Sequence, residues 1–211
     1  MAYGTFKTVE EVAITFDIEV AGKTAFMGQK ALEVPAPRFD MVVENFHDDM
    51  SFINEVTICE QIISPILTIV SRNHKGLRVW SHVPYNVDEK AGLVGEPDYL
   101  IAPRTKYGGM AKPALCVIEA KRDDFDLGWA QALAEMVASA SSGALFCYGI
   151  VTTGKLWEFG RLTDGAFTVD PVSISALKNL QDTFDALNWL FGEIAKQYDF
   201  SSPILPEKRS V

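Results

Sequence analysis

The sequence predicts one mixed α/β domain around a central sheet, and three observations predict it. Segments of helical apolar spacing alternate with short, nearly all-apolar runs of strand length. The strand candidates fall mainly in the middle of the chain, with helical segments before, between and after them. The length of 211 residues, with 48% hydrophobic and 11% aromatic side chains, suffices for one large core and is cramped for two.

Residues 1–47 read as an N-terminal arm or extension, and 48–211 as the main domain. In the arm, Thr8-Val9-Glu10-Glu11 fits a capping box, and Val9, Val12, Ala13 and Phe16 follow at helical spacing, so a short helix is expected over 8–16. From 21 to 47, the glycines, Pro35 and Pro37 predict loop with short extended pieces. Phe52, Val56, Cys59, Ile63, Leu67 and Val70 then predict a helix over about 48–73, which Pro65 should kink or restart. Strands are expected at Leu77–Val83, Tyr99–Ala102 and Ala114–Lys121, with a loop across Pro103–Pro113. Helical spacing returns at Asp126–Ser142. There Trp129, Leu133, Met136, Val137 and Ala140 form one stripe, and Ala130, Ala134 and Ala138 form a small-residue stripe suited to close approach. Leu145–Thr152 and Lys155–Arg161 read as strands around a Thr153-Gly154 turn, with Phe167–Val169 as a third. A last amphipathic helix is expected over Ile174–Tyr198, followed by a loose tail from Ser201.

Composition excludes whole classes of function. No apolar run approaches the roughly 18–20 residues that a membrane helix needs. The opening MAYGTFKTVEEV has no basic stretch leading into an apolar one, so no secretory signal is expected. Cys59, Cys116 and Cys147 stand singly in apolar stretches, which fits buried free thiols and a cytoplasmic location. The net charge of −9 argues against a protein that coats nucleic acid unspecifically. Residues 72–122, with nine basic and five acidic side chains, are the one stretch where a polyanion would be welcome.

The stretch Ala114-Leu115-Cys116-Val117-Ile118-Glu119-Ala120-Lys121 is apolar on both faces until Glu119, as a central strand covered on both sides should be. Side chains alternate along a strand, so Glu119 and Lys121 share a face. Pro97-Asp98 opens the preceding strand candidate, and pairing of the two would set Asp98 beside Glu119. Two carboxylates about 4 Å apart repel by about 4 kcal/mol at an effective dielectric near 20. Such a pair persists with a proton on one acid or a cation between them. A hard divalent ion such as Mg²⁺ takes carboxylate oxygens, waters and often a phosphate, and a neighbouring lysine suits phosphate charge. The chemistry this suggests is metal-assisted hydrolysis of a phosphate ester.

Pro97-Asp98 followed, after 20 intervening residues, by Glu119-Ala120-Lys121 resembles the PD-(D/E)XK nuclease superfamily. More closely, it resembles the N-terminal nuclease domain of type I restriction enzyme motor subunits and their stand-alone relatives. Asn54-Glu55 with Ile63, Pro65 and Leu67 resembles the first helix of that group, Gln131 its glutamine motif, and Thr152–Phe159 its later hairpin. The likeness covers about residues 50–162. It implies a restriction-endonuclease-like central mixed β-sheet flanked by helices, with a C-terminal helix. It further implies that Asp98, Glu119 and the carbonyl of Ala120 hold Mg²⁺ (or Mn²⁺), with Glu55 approaching from the first helix and Glu60 as its rival. Lys121 would orient water or stabilise charge, and Gln131 would steady that lysine or a nucleic-acid backbone. Relatives often carry Tyr four residues after the glutamine; here Glu135 stands there and makes the helix face more acidic. DNA is the implied substrate, with restriction or defence as the setting, and a homodimer or protein partner is open.

Other signals are weaker. Gly149–Lys155 matches most of a phosphate-binding loop, but Leu156 replaces its Ser/Thr and a strand follows in place of a helix. His47, His74 and His82 are too scattered for a zinc site. Trp80 and Tyr85 flank His82 and read either as core or as base-stacking groups. The competing function is a catalytically inactive module of the same fold that binds nucleic acid or a protein.

Overall fold

Apolar strands must satisfy their backbone groups against one another, and here they do so in a single eight-stranded mixed sheet. In this computed structural model, which describes residues 2–197, the strands are β1 (Glu19–Lys23), β2 (Leu77–Ser81), β3 (Tyr99–Pro103), β4 (Cys116–Ala120), β5 (Phe146–Thr152), β6 (Leu156–Thr163), β7 (Ala166–Val169) and β8 (Ile174–Ser175). Their order is β1-β7-β6-β5-β4-β3-β2, with β8 paired to β6. The β4–β5 and β1–β7 pairs are parallel and the others antiparallel. A parallel β4–β5 join needs a crossover, and helix α5 (Phe125–Ser141) supplies it. The remaining helices are α1 (Val9–Phe16), α2 (Ala36–His47), α3 (Glu55–Ile58), α4 (Ser64–Ser71) and α6 (Leu180–Gln197). The α/β architecture expected from the sequence, a mixed sheet flanked by helices and ending in a helix, is the one observed.

Strand alternation divides the core. Cys116, Ile118 and Ala120 of β4 join the apolar side chains of α4 and α6, whereas Val117 faces Leu133 and Met136 of α5. Helix α5 comes unusually close to the sheet. An added side-chain carbon at Gly128 would lie 2.5 Å from Val151 Cγ1, and at Gly149 2.7 Å from Met136 Sδ. Val12 of α1 and Tyr3 enter the same cluster as α5, so the far side of that helix is covered too.

The segment before residue 48 joins this sheet through β1 and carries one correction. Residues 36–47, expected as loop, form α2. Pro35 is its N-cap and Pro37 lies in its first turn, where the backbone N–H groups have no helical partner anyway, so neither proline breaks it. Residues 24–34 have no regular structure. They are held by side chains: Asp170 accepts the Phe26 and Met27 N–H groups at 2.8 Å, and Asn188 donates to Lys30 O at 3.0 Å.

Pro65 does alter the long helix. It has no N–H for Gln61 O, four residues back, and Asn45 Nδ2 of α2 donates to that carbonyl at 2.7 Å instead. A π-helical stretch, Cys59–Ile63, immediately precedes α4. The last helix starts later than expected, because Ile174–Ser175 is β8 and α6 begins at Leu180. Tyr198 and the tail from Ser201 lie outside the described residues. Among the described residues no helix is long and apolar enough to cross a membrane.

Candidate active site

β3 and β4 pair with Tyr99 opposite Ile118 and Leu100 opposite Val117. One further step in this register sets Asp98 opposite Glu119, on the sheet face that α5 covers. The Ala120 N–H donates to Asp98 Oδ2 at 2.8 Å. Lys121 Nζ donates to Glu119 Oε2 and to the Ala120 carbonyl, each at 3.0 Å. Asp98, Glu119, Ala120 and Lys121 are therefore brought together as the sequence predicted, at the end of two adjacent strands.

Burial dominates the electrostatics. The side chains of Glu119 and Lys121 are 5% and 8% exposed, and that of Asp98 is 22% exposed. Burial, then the Glu119 carboxylate, pushes the Asp98 carboxyl up to about 6. Burial alone would lower the Lys121 ammonium, but Glu119, Asp98 and Glu55 outweigh it and hold it above its ordinary value. Lys121 is thus a fixed cation.

The structure adds one residue of α5 to this cluster. Glu135 on α5 is buried, and its carboxyl meets that of Glu119. Burial first, then Glu119 and Asp98, hold it well above the usual carboxylate range. Its Oε2 has no hydrogen-bond partner among the described residues. Its position four residues after Gln131 was the available signal. Gln131 itself is half-buried and makes no hydrogen bond to Lys121 among the described residues. Its Nε2 would lie 3.3 Å from a side-chain carbon at Gly4, so it faces the segment around Tyr3–Thr5.

Glu55 is exposed at the start of α3, where Asn54 and Thr57 form a reciprocal cap. Its charge reaches Lys121 and Cys59, whereas that of Glu60 reaches Tyr99. Cys59 Sγ, a His82 ring nitrogen and an Asp98 oxygen also lie within 4.8 Å of one another. Nothing in the spacing of His82 and Cys59 along the chain reveals that a strand end and a π-helical stretch converge.

The weaker signals resolve structurally. Tyr85 is fully buried, with its hydroxyl 3.2 Å from Ser139 Oγ and from the Ala114 N–H, so it cannot stack on a base. Trp80 is half-buried and donates to Ala102 O. The segment Gly149–Lys155 is β5 and a tight hairpin turn, with no helix after it.

The basic stretch 72–122 does not gather at the carboxylates. Lys75 and Arg78 stand before or at the start of β2, and Arg104, Lys106 and Lys112 lie in the β3–β4 connection, all at the opposite end of these strands. The site end carries Lys121, Arg122 and, in the β5–β6 turn, Lys155, and the β2–β3 connection that contains Lys90 leaves and rejoins the sheet at that end.

Two carboxylates and a backbone carbonyl are an all-oxygen donor set. With the unpartnered Glu135 oxygen beside them, they match the needs of a hard divalent cation, so the residues fit the Mg²⁺ that the sequence led us to expect. No protein-family model matches this chain, and no curated protein matches it in sequence.

Proposed function

We propose that the chain is a Mg²⁺-dependent nuclease that hydrolyses DNA phosphodiester bonds, as the resemblance to PD-(D/E)XK enzymes implies. The observation that carries this reading is the meeting of Asp98 and Glu119 across paired strands beside a charged Lys121, with the Asp98 carboxyl raised to about 6. Asp98, Glu119 and the Ala120 carbonyl would hold the ion, with Glu55 approaching from the first helix, where its charge acts on Lys121. Bound there, Mg²⁺ supplies Lewis-acid polarisation of the phosphate and a more acidic water. Lys121 now bridges Glu119 and Ala120 O; freed from either, its ammonium steadies the negative charge that develops on the phosphate oxygens. The buried free thiols Cys59, Cys116 and Cys147 suit a reducing compartment, so we place the enzyme in the cytoplasm, with restriction or defence as its setting.

The test pairs binding with turnover. Mn²⁺ calorimetry should show binding that Asp98→Asn removes, and nicking of supercoiled plasmid in Mg²⁺ should be lost in Lys121→Ala while the far-ultraviolet circular dichroism stays unchanged. Absence of Mn²⁺ binding, or unaltered nicking by Lys121→Ala, would overturn the reading. A second reading, an inactive module that binds nucleic acid or a protein, is favoured by the net charge of −9. It predicts partner binding without nicking in either metal.

A further inference from the structure

We propose that Cys59, His82 and Asp98 form a second metal site, one that takes a thiophilic divalent ion of the Zn²⁺ type. Three elements converge to build it. The π-helical stretch Cys59–Ile63 begins at Cys59, whose carbonyl accepts the Tyr99 hydroxyl at 2.8 Å and so docks that turn on the start of β3. His82 follows the end of β2 in a left-handed conformation (φ 46°), and its N–H donates to Asp98 O at 3.1 Å. Asp98 divides its carboxylate: Oδ2 accepts from Ala120, while Oδ1 lies 3.8 Å from His82 Nδ1.

Tetrahedral zinc places sulfur, nitrogen and oxygen ligands roughly 3.3–3.5 Å from one another. The three donor atoms here lie within 4.8 Å of one another, so closure around an ion asks for side-chain shifts of about 1 Å. The His82 side chain is half exposed, which opens one side to solvent and gives the fourth position to water. The donor set separates this site from the carboxylate centre: a thiolate and an imidazole select Zn²⁺ or Co²⁺, whereas an all-oxygen set suits Mg²⁺. On binding, a metal–sulfur bond forms as the Cys59 S–H bond breaks, and the proton leaves to water. The inference shares Asp98 with the phosphodiester reading and otherwise stands apart from it. That sharing couples the two centres, so a thiophilic ion weakens Mn²⁺ binding and Mn²⁺ weakens it by the same factor.

Co²⁺ titration of the full chain is the test. The expected result is a near-ultraviolet thiolate-to-cobalt charge-transfer band that saturates at one equivalent and disappears in Cys59→Ser. Zn²⁺ affinity should fall at least about tenfold in His82→Ala, a half-exposed position whose loss leaves the core intact. A wild-type protein without the band, or a band that survives Cys59→Ser and so comes from Cys116 or Cys147, overturns the site. If Cys59→Ser does not fold, the His82→Ala measurement decides, and an unchanged Zn²⁺ affinity there overturns it. Mn²⁺ calorimetry on the same samples keeps a failure here distinct from a failure of the carboxylate centre.

Discussion

Replacing Asp98 by Asn should stabilise the metal-free protein at neutral pH. The Asp98 carboxyl is raised from 3.8 to about 6, first by burial and then by Glu119. A carboxyl raised in the folded state binds its proton more tightly there than in the unfolded chain. Its contribution is therefore most favourable below 3.8, declines as pH rises to about 6, and is constant above that. The full decline corresponds to about 3 kcal/mol. The side chain is 22% exposed, and solvent screening trims this to about 2 kcal/mol. Asparagine keeps an oxygen to accept the Ala120 N–H, so the substitution removes the charge and spares that bond. Urea unfolding of both proteins with a chelator should show a stability difference below about 1 kcal/mol at pH 4 that grows to about 2 kcal/mol at pH 7. Mn²⁺ should then stabilise the wild type alone. A difference that does not vary with pH, or an Asn variant less stable than wild type at pH 7, would refute the account of this carboxylate pair.

Further outcomes follow from the same geometry. Gly128→Ala puts a carbon 2.5 Å from Val151 Cγ1 and 3.0 Å from Lys121 Cγ, so urea unfolding should register a loss of about 1–3 kcal/mol; an unchanged midpoint would show that the helix can shift away. Glu135→Gln takes a carboxyl out of a buried acidic cluster, so the metal-free melting temperature at pH 7 should hold or rise, whereas a structural ion-pair role would lower it. If Arg122 and Lys155 are the accessible cations at the site end, DNA affinity should show a log K against log salt slope of about −2; a much steeper slope would mean that the distant basic side chains take part.

The legible parts of this fold were those whose apolar spacing is unbroken. The strand 114–121 and the helix 126–142 could be placed within a few residues, because a fully covered strand and a helix lying close to it leave no polar face to confuse the pattern. Helix α2 was hidden by Pro35 and Pro37, although Phe39, Val42, Val43 and Phe46 carry helical spacing just behind them. The strand β1 was illegible for another reason: all five of its residues are exposed, so it has no apolar alternation to display. At the site, Asp98, Glu119 and Lys121 were found because strand pairing is local and its parity is fixed. Glu135, Cys59 and His82 reach the same place from a crossover helix, a π-helical stretch and a strand end. Glu135 had one spacing signal, its place four residues after Gln131; the other two are tertiary placements that no spacing along the chain encodes.

The placement of charge along the sheet explains why, among the described residues, the cluster is not neutralised by buried cations. β3 and β4 span five residues each, about 17 Å, and Arg104, Lys106 and Lys112 lie at the far end of that span. At physiological ionic strength the screening length is about 8 Å, so those cations contribute little at the carboxylates. Among the described residues, Asp98, Glu119 and Glu135 face one buried ammonium, Lys121, which is already bonded to Glu119 and to the Ala120 carbonyl, and Asp98 has the half-exposed His82 ring 3.8 Å away. Moving a second lysine in would demand another buried charge with its own desolvation cost. The remaining ways to relieve the cluster are a proton or an added cation. The raised Asp98 and Glu135 carboxyls mark the proton as the solution at low pH. Above about pH 6 the same arrangement favours a doubly charged ion, and that ties the pH dependence of stability and the metal requirement of the proposed reaction to one physical cause.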